Sequence, residues 1–135
     1  MAKNHSGRPK LVTKELTRVN EDLRKLYDEA SSSRKRDSLS PYLAAVLKKY
    51  QYFTEWGLAK KATKKMCVIR GVKKPPKDSI TRIIIATSTT DAKAASKMTR
   101  ALRYIHYNDW TDVAAKLKQN GGIAGCAEKF SELLE

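Results

Sequence analysis

Four closely spaced lysines are the residues best suited to chemistry in this chain, and that chemistry is the binding of phosphates. They are Lys60, Lys61, Lys64 and Lys65, in the sequence LAKKATKK. On a helix, Leu58, Ala62 and Met66 form an apolar stripe and the lysines occupy the opposite side, with no acidic residue among them. Because ammonium groups neutralise phosphates and release their counterions, the pattern predicts a nucleic-acid contact. The alternative is a solvated surface.

Two aromatic side chains precede these lysines and fall outside the predicted core face of their helix. Tyr52 and Trp56 are four residues apart, and Lys48 and Lys49 lie beside them. Exposed rings next to cations stack on nucleic-acid bases, which contributes ~1–3 kcal/mol per base. The alternative is that Trp56 fills a gap between helices, since tryptophan is usually at least half buried.

Further cationic residues in loops and on a later helix complete the predicted contact set. The loop SSSRKRDS contains no apolar residue, so we expect it to follow a nucleic-acid backbone. Two arginines of the later helix are expected to add ancillary phosphate contacts. These further residues are Arg34, Lys35, Arg36, Arg70, Lys73, Lys74, Arg100 and Arg103.

The distribution of charge supports this interpretation more strongly than the total does. The formal net charge is +14 over 135 residues. Residues 34–74 contain twelve basic and two acidic residues, a net charge of +10, whereas residues 76–135 carry only +2. A concentrated basic stripe is typical of a polyanion binder. We therefore predict a DNA-binding protein, with RNA as the alternative ligand and no membrane partner.

Enzymatic and metal-dependent functions have little support in the sequence. His5 lies in a polar terminal segment, and His106 lies near the end of a predicted helix without a nucleophile motif around it. Two isolated cysteines, Cys67 and Cys126, form neither a zinc framework nor a disulfide framework. We predict no catalytic residue, metal or cofactor. The absence of a signal-peptide h-region predicts a cytoplasmic location.

The N-terminal part is expected to begin with a disordered basic arm over residues 1–10, followed by a helix over 11–30. In that helix, apolar residues recur with the spacing 4, 3, 4, 3, 4 from Val12 to Ala30, which is a heptad pattern. We favour a helix that docks on the body of the domain. The alternative is a homodimer, or a non-enzymatic protein-interaction module, that uses Leu16, Val19, Leu23 and Leu26.

Residues 11–135 are predicted to form one all-α domain of five to six helices. The basic segment 34–77 is followed by a near-neutral helical part, 79–135, that ends in a helical hairpin across an Asn-Gly-Gly turn. Residues 79–88, SITRIIIATS, are ambiguous because isoleucine favours strands. We expect a short buried helix capped by Ser79, and a strand there would make the fold α+β. Asp109 or Thr111 is expected to cap a later helix.

Three segments, SITRIIIATS, MTRALRYIHYN and NGGIAGCAEKF, resemble small, basic, mostly uncharacterised proteins carried by bacterial plasmids and other mobile elements. The resemblance covers residues 79–134. It implies a bacterial intracellular setting and a non-enzymatic role, and it assigns no site residue. Together with the charge pattern, it leads us to expect an accessory or regulatory protein of a bacterial genetic element, acting in transcription regulation or DNA architecture.

Overall fold

The computed structural model describes residues 8–33 and 38–135, which form seven α-helices and no strand. The helices are α1 (Thr13–Ser31), α2 (Ser40–Glu55), α3 (Ala59–Ile69), α4 (Ser79–Thr87), α5 (Ala92–Tyr107), α6 (Val113–Gln119) and α7 (Gly122–Leu133). The all-α prediction is confirmed. The described residues contain seven helices, where five to six were expected.

Helix α4 lies in the middle of the fold and corresponds to the segment that could have been a strand. It contacts α1, α2, α3 and α5, and its side chains Ile80, Ile83 and Ile84 are fully buried. Helical spacing directs all three toward the core, and this burial overrides the strand propensity of isoleucine. The cap is Asp78, whose Oδ1 accepts hydrogen bonds from two backbone amides of the first turn. The expectation that Ser79 caps this helix is therefore wrong.

Helix α1 packs against α2, α3 and α4. Leu16 and Leu23 are buried in the core, whereas Val19 and Leu26 are half-buried at its edge. The side-chain amide of Asn20 donates a hydrogen bond to the carbonyl oxygen of Met66 at 3.1 Å, which joins α1 to the last turn of α3. The heptad pattern thus supplies an intramolecular packing face.

Helix α2 begins at Ser40 and has Pro41 in its first turn, and its cap residue, Leu39, makes no side-chain capping hydrogen bond. Tyr42 is fully buried, and its ring contacts the edge of the Tyr27 ring. Its hydroxyl lies 2.6 Å from the Thr87 hydroxyl of α4. Burial raises the pKa of Tyr42 to about 12.

The C-terminal helices pack on one another and on α5, so the predicted hairpin is matched only roughly. Helix α7 contacts α6, but its main partner is α5. Gly121, with a φ of 88°, precedes α7 in the left-handed conformation that glycine tolerates best. The cap of α6 is Asp112, which accepts a hydrogen bond from the Ala115 amide, so neither Asp109 nor Thr111 is the cap.

Candidate nucleic-acid interface

Helix α3 presents most of the predicted lysine cluster on its outer side. Its inner side is buried against α1, α2 and α4, and consists of Ala62, Thr63, Met66 and Cys67. The ammonium-bearing side chains of Lys60, Lys61 and Lys64 are exposed. We call these three residues the lysine face. The sequence forms a helix here because the inner residues recur every three to four positions.

In the described part of the chain, no acidic side chain forms an ion pair with the lysine face. Within residues 8–33 and 38–135, the ion pairs are Arg24–Asp28 at 3.0 Å and Arg103–Asp78 at 2.9 Å, and neither involves α3. The first turn of α3 contains no acidic residue, so Lys60 and Lys61 lie near the positive end of the helix dipole. The positive end of the dipole repels these ammonium groups, and an external anion bound there would offset that repulsion.

Lys65 has a different role from the lysine face. Its Nζ donates a hydrogen bond to the carbonyl oxygen of Leu11 at 2.7 Å, and the side chain is half-buried. The bond fixes the segment that precedes α1 against α3. Lys65 therefore anchors the N-terminal segment beside the lysine face.

Arg82 of α4 positions the lysine face from inside the molecule. It is 8% exposed, its Nη1 donates to the carbonyl oxygen of Lys60 at 3.0 Å, and its Nε donates to that of Pro76 at 2.6 Å. One guanidinium thus joins the start of α3 to the loop that carries the exposed Lys73 and Lys74. Arg82 was not foreseen as a site residue, because it lies in the isoleucine-rich segment that was expected to be buried. A cation at a core position was the available signal.

The two predicted stacking rings belong to different surfaces. Tyr52 lines an open groove between α1 and α2 together with Val19 and Leu26. Trp56 follows the last residue of α2, is partly exposed and lies outside the hydrophobic core. The guanidinium carbon of Arg8 is 6.0 Å from the centroid of the Trp56 ring.

Lys48 and Lys49 lie on the Tyr52 side. Both line the groove between α1 and α2, and the Nζ of Lys49 is 5.2 Å from the centroid of the Tyr52 ring. Burial lowers the pKa of Lys49, and the carboxylate of Asp22 offsets part of this effect. These two lysines are separated from the lysine face by the Trp56 turn.

Arg103 is engaged in an internal network. Its guanidinium donates to Asp78 Oδ2 at 2.9 Å and to the Tyr50 hydroxyl at 2.9 Å, which links α5, α2 and the cap of α4. Burial acts to lower the pKa of Arg103, but the hydrogen bond to Tyr50 and the charge of Asp78 raise it overall. Arg100 Nη1 donates to the Ser96 hydroxyl at 2.9 Å.

The remaining predicted contacts are divided between exposed positions and positions outside the described chain. Arg70 is exposed at the end of α3. Arg34, Lys35 and Arg36 lie outside the residues that the structure describes, as do residues 1–7 of the predicted arm. The part of the arm that is described begins at Arg8.

A cleft between the N-terminal segment and the turn from α2 to α3 was not foreseen from the sequence. It has a volume of about 600 Å³. Its lining consists of three cationic and four apolar residues and contains no acidic side chain: Arg8, Lys10 and Lys61, with Pro9, Leu11, Val12 and Leu58. The cleft is formed by two segments that are remote in sequence, so only the folded structure reveals it.

Other kinds of site find no support in the part of the chain that the structure describes. No group of His, Cys, Asp or Glu side chains there could hold a metal ion. No helix among those described combines the length and apolar character needed to cross a membrane. No protein-family model, curated protein or solved structure matches this sequence.

Proposed function

We propose that this protein binds DNA, and that the lysine face of α3 makes the principal phosphate contacts. The observation that carries the proposal is the exposure of Lys60, Lys61 and Lys64 on one side of a well-packed helix, with no acidic ion-pair partner among residues 8–33 and 38–135. Arg82 holds the loop bearing Lys73 and Lys74 against the start of the same helix. Five ammonium groups are thus carried on two connected segments.

The number of these cations gives a quantitative expectation. Each phosphate neutralised on duplex DNA contributes about −0.9 to the slope of log K against log salt. If all five lysines bind phosphates, the slope is about −4 to −5. The described face offers ammonium groups and not the Arg, Asn and Gln side chains that bind base edges, so we expect weak sequence preference.

The biological role that fits this surface is that of an accessory or regulatory protein of a bacterial genetic element, without enzymatic activity. A protein that binds phosphates with little base selectivity coats or bends DNA, or adds affinity to a complex that has its own specificity. RNA is the second candidate ligand because it carries the same phosphates. Comparing duplex DNA with duplex RNA in one assay decides between them.

The test compares two lysine pairs that have the same spacing on different helices. One variant combines Lys60→Glu with Lys64→Glu, and its control combines Lys93→Glu with Lys97→Glu on α5. All four lysines are exposed, both variants change the net charge equally, and α5 does not contact α3 within the described chain. Fluorescence anisotropy of a labelled duplex, titrated at several salt concentrations, measures affinity and slope.

We expect the α3 pair to lower DNA affinity at least about tenfold at low salt and to reduce the salt slope by about 2. The α5 pair should change affinity only about twofold and leave the slope unchanged. Equal losses in the two variants would mean that affinity follows net charge and not this face. Absence of duplex binding by the unsubstituted chain at low salt would refute the proposal.

A further inference from the structure

The contact between Arg8 and Trp56 needs only a small opening to admit a third planar group. The guanidinium carbon lies 6.0 Å from the ring centroid, which is the outer limit for a cation–π contact. Two stacked planes are separated by roughly 3.5 Å, so a base between Arg8 and Trp56 needs about 7 Å. An opening of about 1 Å is enough, because both side chains belong to surface segments.

Trp56 is available for such a contact because it does not contribute to the core. Tyr52 and Trp110 are packed against the hydrophobic core, whereas Trp56 is partly exposed and lies outside it. Its indole ring is presented at the turn between α2 and α3, immediately before the lysine face. A partly exposed tryptophan covered only loosely by an arginine is a platform for stacking.

The segment that carries Arg8 is held in place. Pro9 is buried, and the Leu11 carbonyl oxygen accepts the hydrogen bond from Lys65. These contacts keep Arg8 near Trp56 and reduce the conformational entropy that binding would otherwise cost. The Arg8 side of the gap is thus preorganised.

The cleft beside this contact is suited to the rest of a nucleotide. Arg8 belongs to both features, because it lines the cleft and also lies over the Trp56 ring. The volume of about 600 Å³ is within the range of sites that bind small ligands. Lys10 and Lys61 supply positive charge for a phosphate, and Leu58 supplies an apolar wall.

We propose that Arg8 and Trp56 clamp one unpaired nucleobase, while Lys10 and Lys61 bind the adjoining phosphate in the cleft. This inference rests on the proposed nucleic-acid binding, and it names the ligand that would bind at the edge of the lysine face. Bases within a duplex are stacked on their neighbours and cannot enter, so the clamp selects single strands, frayed ends or flipped-out bases. Arginine and indole planes bind any base, because each base has a π-face.

Fluorescence tests the clamp directly. In a Trp110→Phe background, Trp56 is the only tryptophan, and its emission is followed during titration with single-stranded DNA and RNA oligonucleotides. An abasic oligonucleotide of the same length and charge is the control. We expect the base-bearing strands to quench Trp56 and the abasic strand to leave its emission unchanged. Quenching by DNA alone or by RNA alone also supports the clamp, and it shows which of the two nucleic acids the clamp binds.

Affinity provides the second measurement. Trp56→Leu and, separately, Arg8→Gln should lower affinity for base-bearing single strands about tenfold or more, and should change affinity for the abasic strand and the duplex no more than about twofold. Circular dichroism confirms folding, and Arg8→Gln preserves the indole in case Trp56→Leu destabilises the turn.

Two outcomes distinguish this inference from the function on which it rests. Equal quenching by abasic and base-bearing strands overturns the clamp, even if duplex binding still depends on Lys60 and Lys64. If the unsubstituted chain binds no nucleic acid at all, both proposals are overturned. Similar losses of abasic and base-bearing affinity in Trp56→Leu would assign Trp56 a structural role and also overturn the clamp.

Discussion

Tyr42 illustrates how a single buried polar group makes stability depend on pH. Its hydroxyl is enclosed between α2 and α4 and lies 2.6 Å from the Thr87 hydroxyl, and burial raises its pKa to about 12 from the usual 10.0. The folded chain therefore retains the phenolic proton at pH values where the unfolded chain has lost it. The contribution of protonated Tyr42 to the free energy of unfolding is complete below pH 10, and it is lost as the pH rises toward 12.

We predict that Tyr42→Phe flattens this pH dependence. The two-unit difference corresponds to about 2–3 kcal/mol of unfolding free energy, lost between about pH 10 and 12 in the unsubstituted chain. The variant lacks the titrating group, and at neutral pH it should lose only about 1 kcal/mol, for one hydrogen bond. Urea unfolding at several alkaline pH values measures both effects. Identical slopes in the two proteins would contradict the prediction.

The hydrogen-bond partners of individual side chains are much of what could not be predicted from the sequence. Arg103 was expected to contact phosphate, yet the structure shows its guanidinium bound to Asp78 and Tyr50, from two other segments. Tyr42 was not expected in the core, although it precedes the core residue Val46 by four residues on the same helical face. Long-range pairing leaves no such periodic signal.

Among the helices, hydrophobic periodicity predicted the positions well. The residues expected as helix caps were predicted poorly. All seven helices correspond to segments with helical spacing of apolar residues, including α4, where burial decided between helix and strand. The caps of α4 and α6 are Asp78 and Asp112, whereas Ser79 and either Asp109 or Thr111 were expected. Asp109 instead adopts a φ of 55°, in the left-handed region. Cap choice depends on backbone angles that composition does not determine.

The junction between α6 and α7 depends on close backbone approach at Gly125. A Cβ atom added there would lie 2.1 Å from the carbonyl oxygen of Asn120, and backbone cannot move aside as a flexible side chain can. Gly125→Ala should therefore lower the free energy of unfolding by about 1–3 kcal/mol, although alanine is the better helix former.

Thermal or urea unfolding followed by circular dichroism measures the effect of Gly125→Ala. The matched control is Ala124→Gly, at the exposed neighbouring position, which should cost no more than about 1 kcal/mol through helix propensity. If Gly125→Ala were neutral or stabilising, the close approach to Asn120 would not constrain the junction.

For the whole molecule, the heptad pattern of α1 raises the question of self-association. Leu16 and Leu23 are 1% and 4% exposed within the chain's own core, so alanine at either should cost about 2–5 kcal/mol of stability. Such variants would unfold a monomer and a dimer alike. Of the four residues expected in a homodimer contact, Val19 and Leu26 are left for a partner, at the open groove of about 470 Å³ between α1 and α2.

Combining Val19→Ser with Leu26→Ser tests the homodimer without damaging the core. We expect the double variant to remain folded, because both side chains are only half-buried. Sedimentation equilibrium of the unsubstituted chain and the variant gives their masses. A dimer that falls to the monomer mass supports association through α1, whereas a monomer in both cases contradicts it and leaves the groove unpaired.

Charge concentration predicted the region of the candidate interface, but its three-dimensional extent depends on the fold. The lysine face was foreseeable from spacing alone, and α3 exposes three of its four lysines. The cleft beside Trp56 combines residues 8–12 with Leu58 and Lys61, and nothing in local sequence indicates that these segments meet.

The bridge made by Arg82 has a consequence for how this surface can change over time. The buried guanidinium fixes the backbone of α3 and of the following loop, while Lys60, Lys61 and Lys64 project outward from that frame. Each outer lysine can be exchanged for a neutral residue, or a new one added, at little cost to folding. The proposed affinity for polyanions would therefore be adjustable in small steps, one charge at a time. Arg82 is not interchangeable in this way, because losing it would release both segments at once.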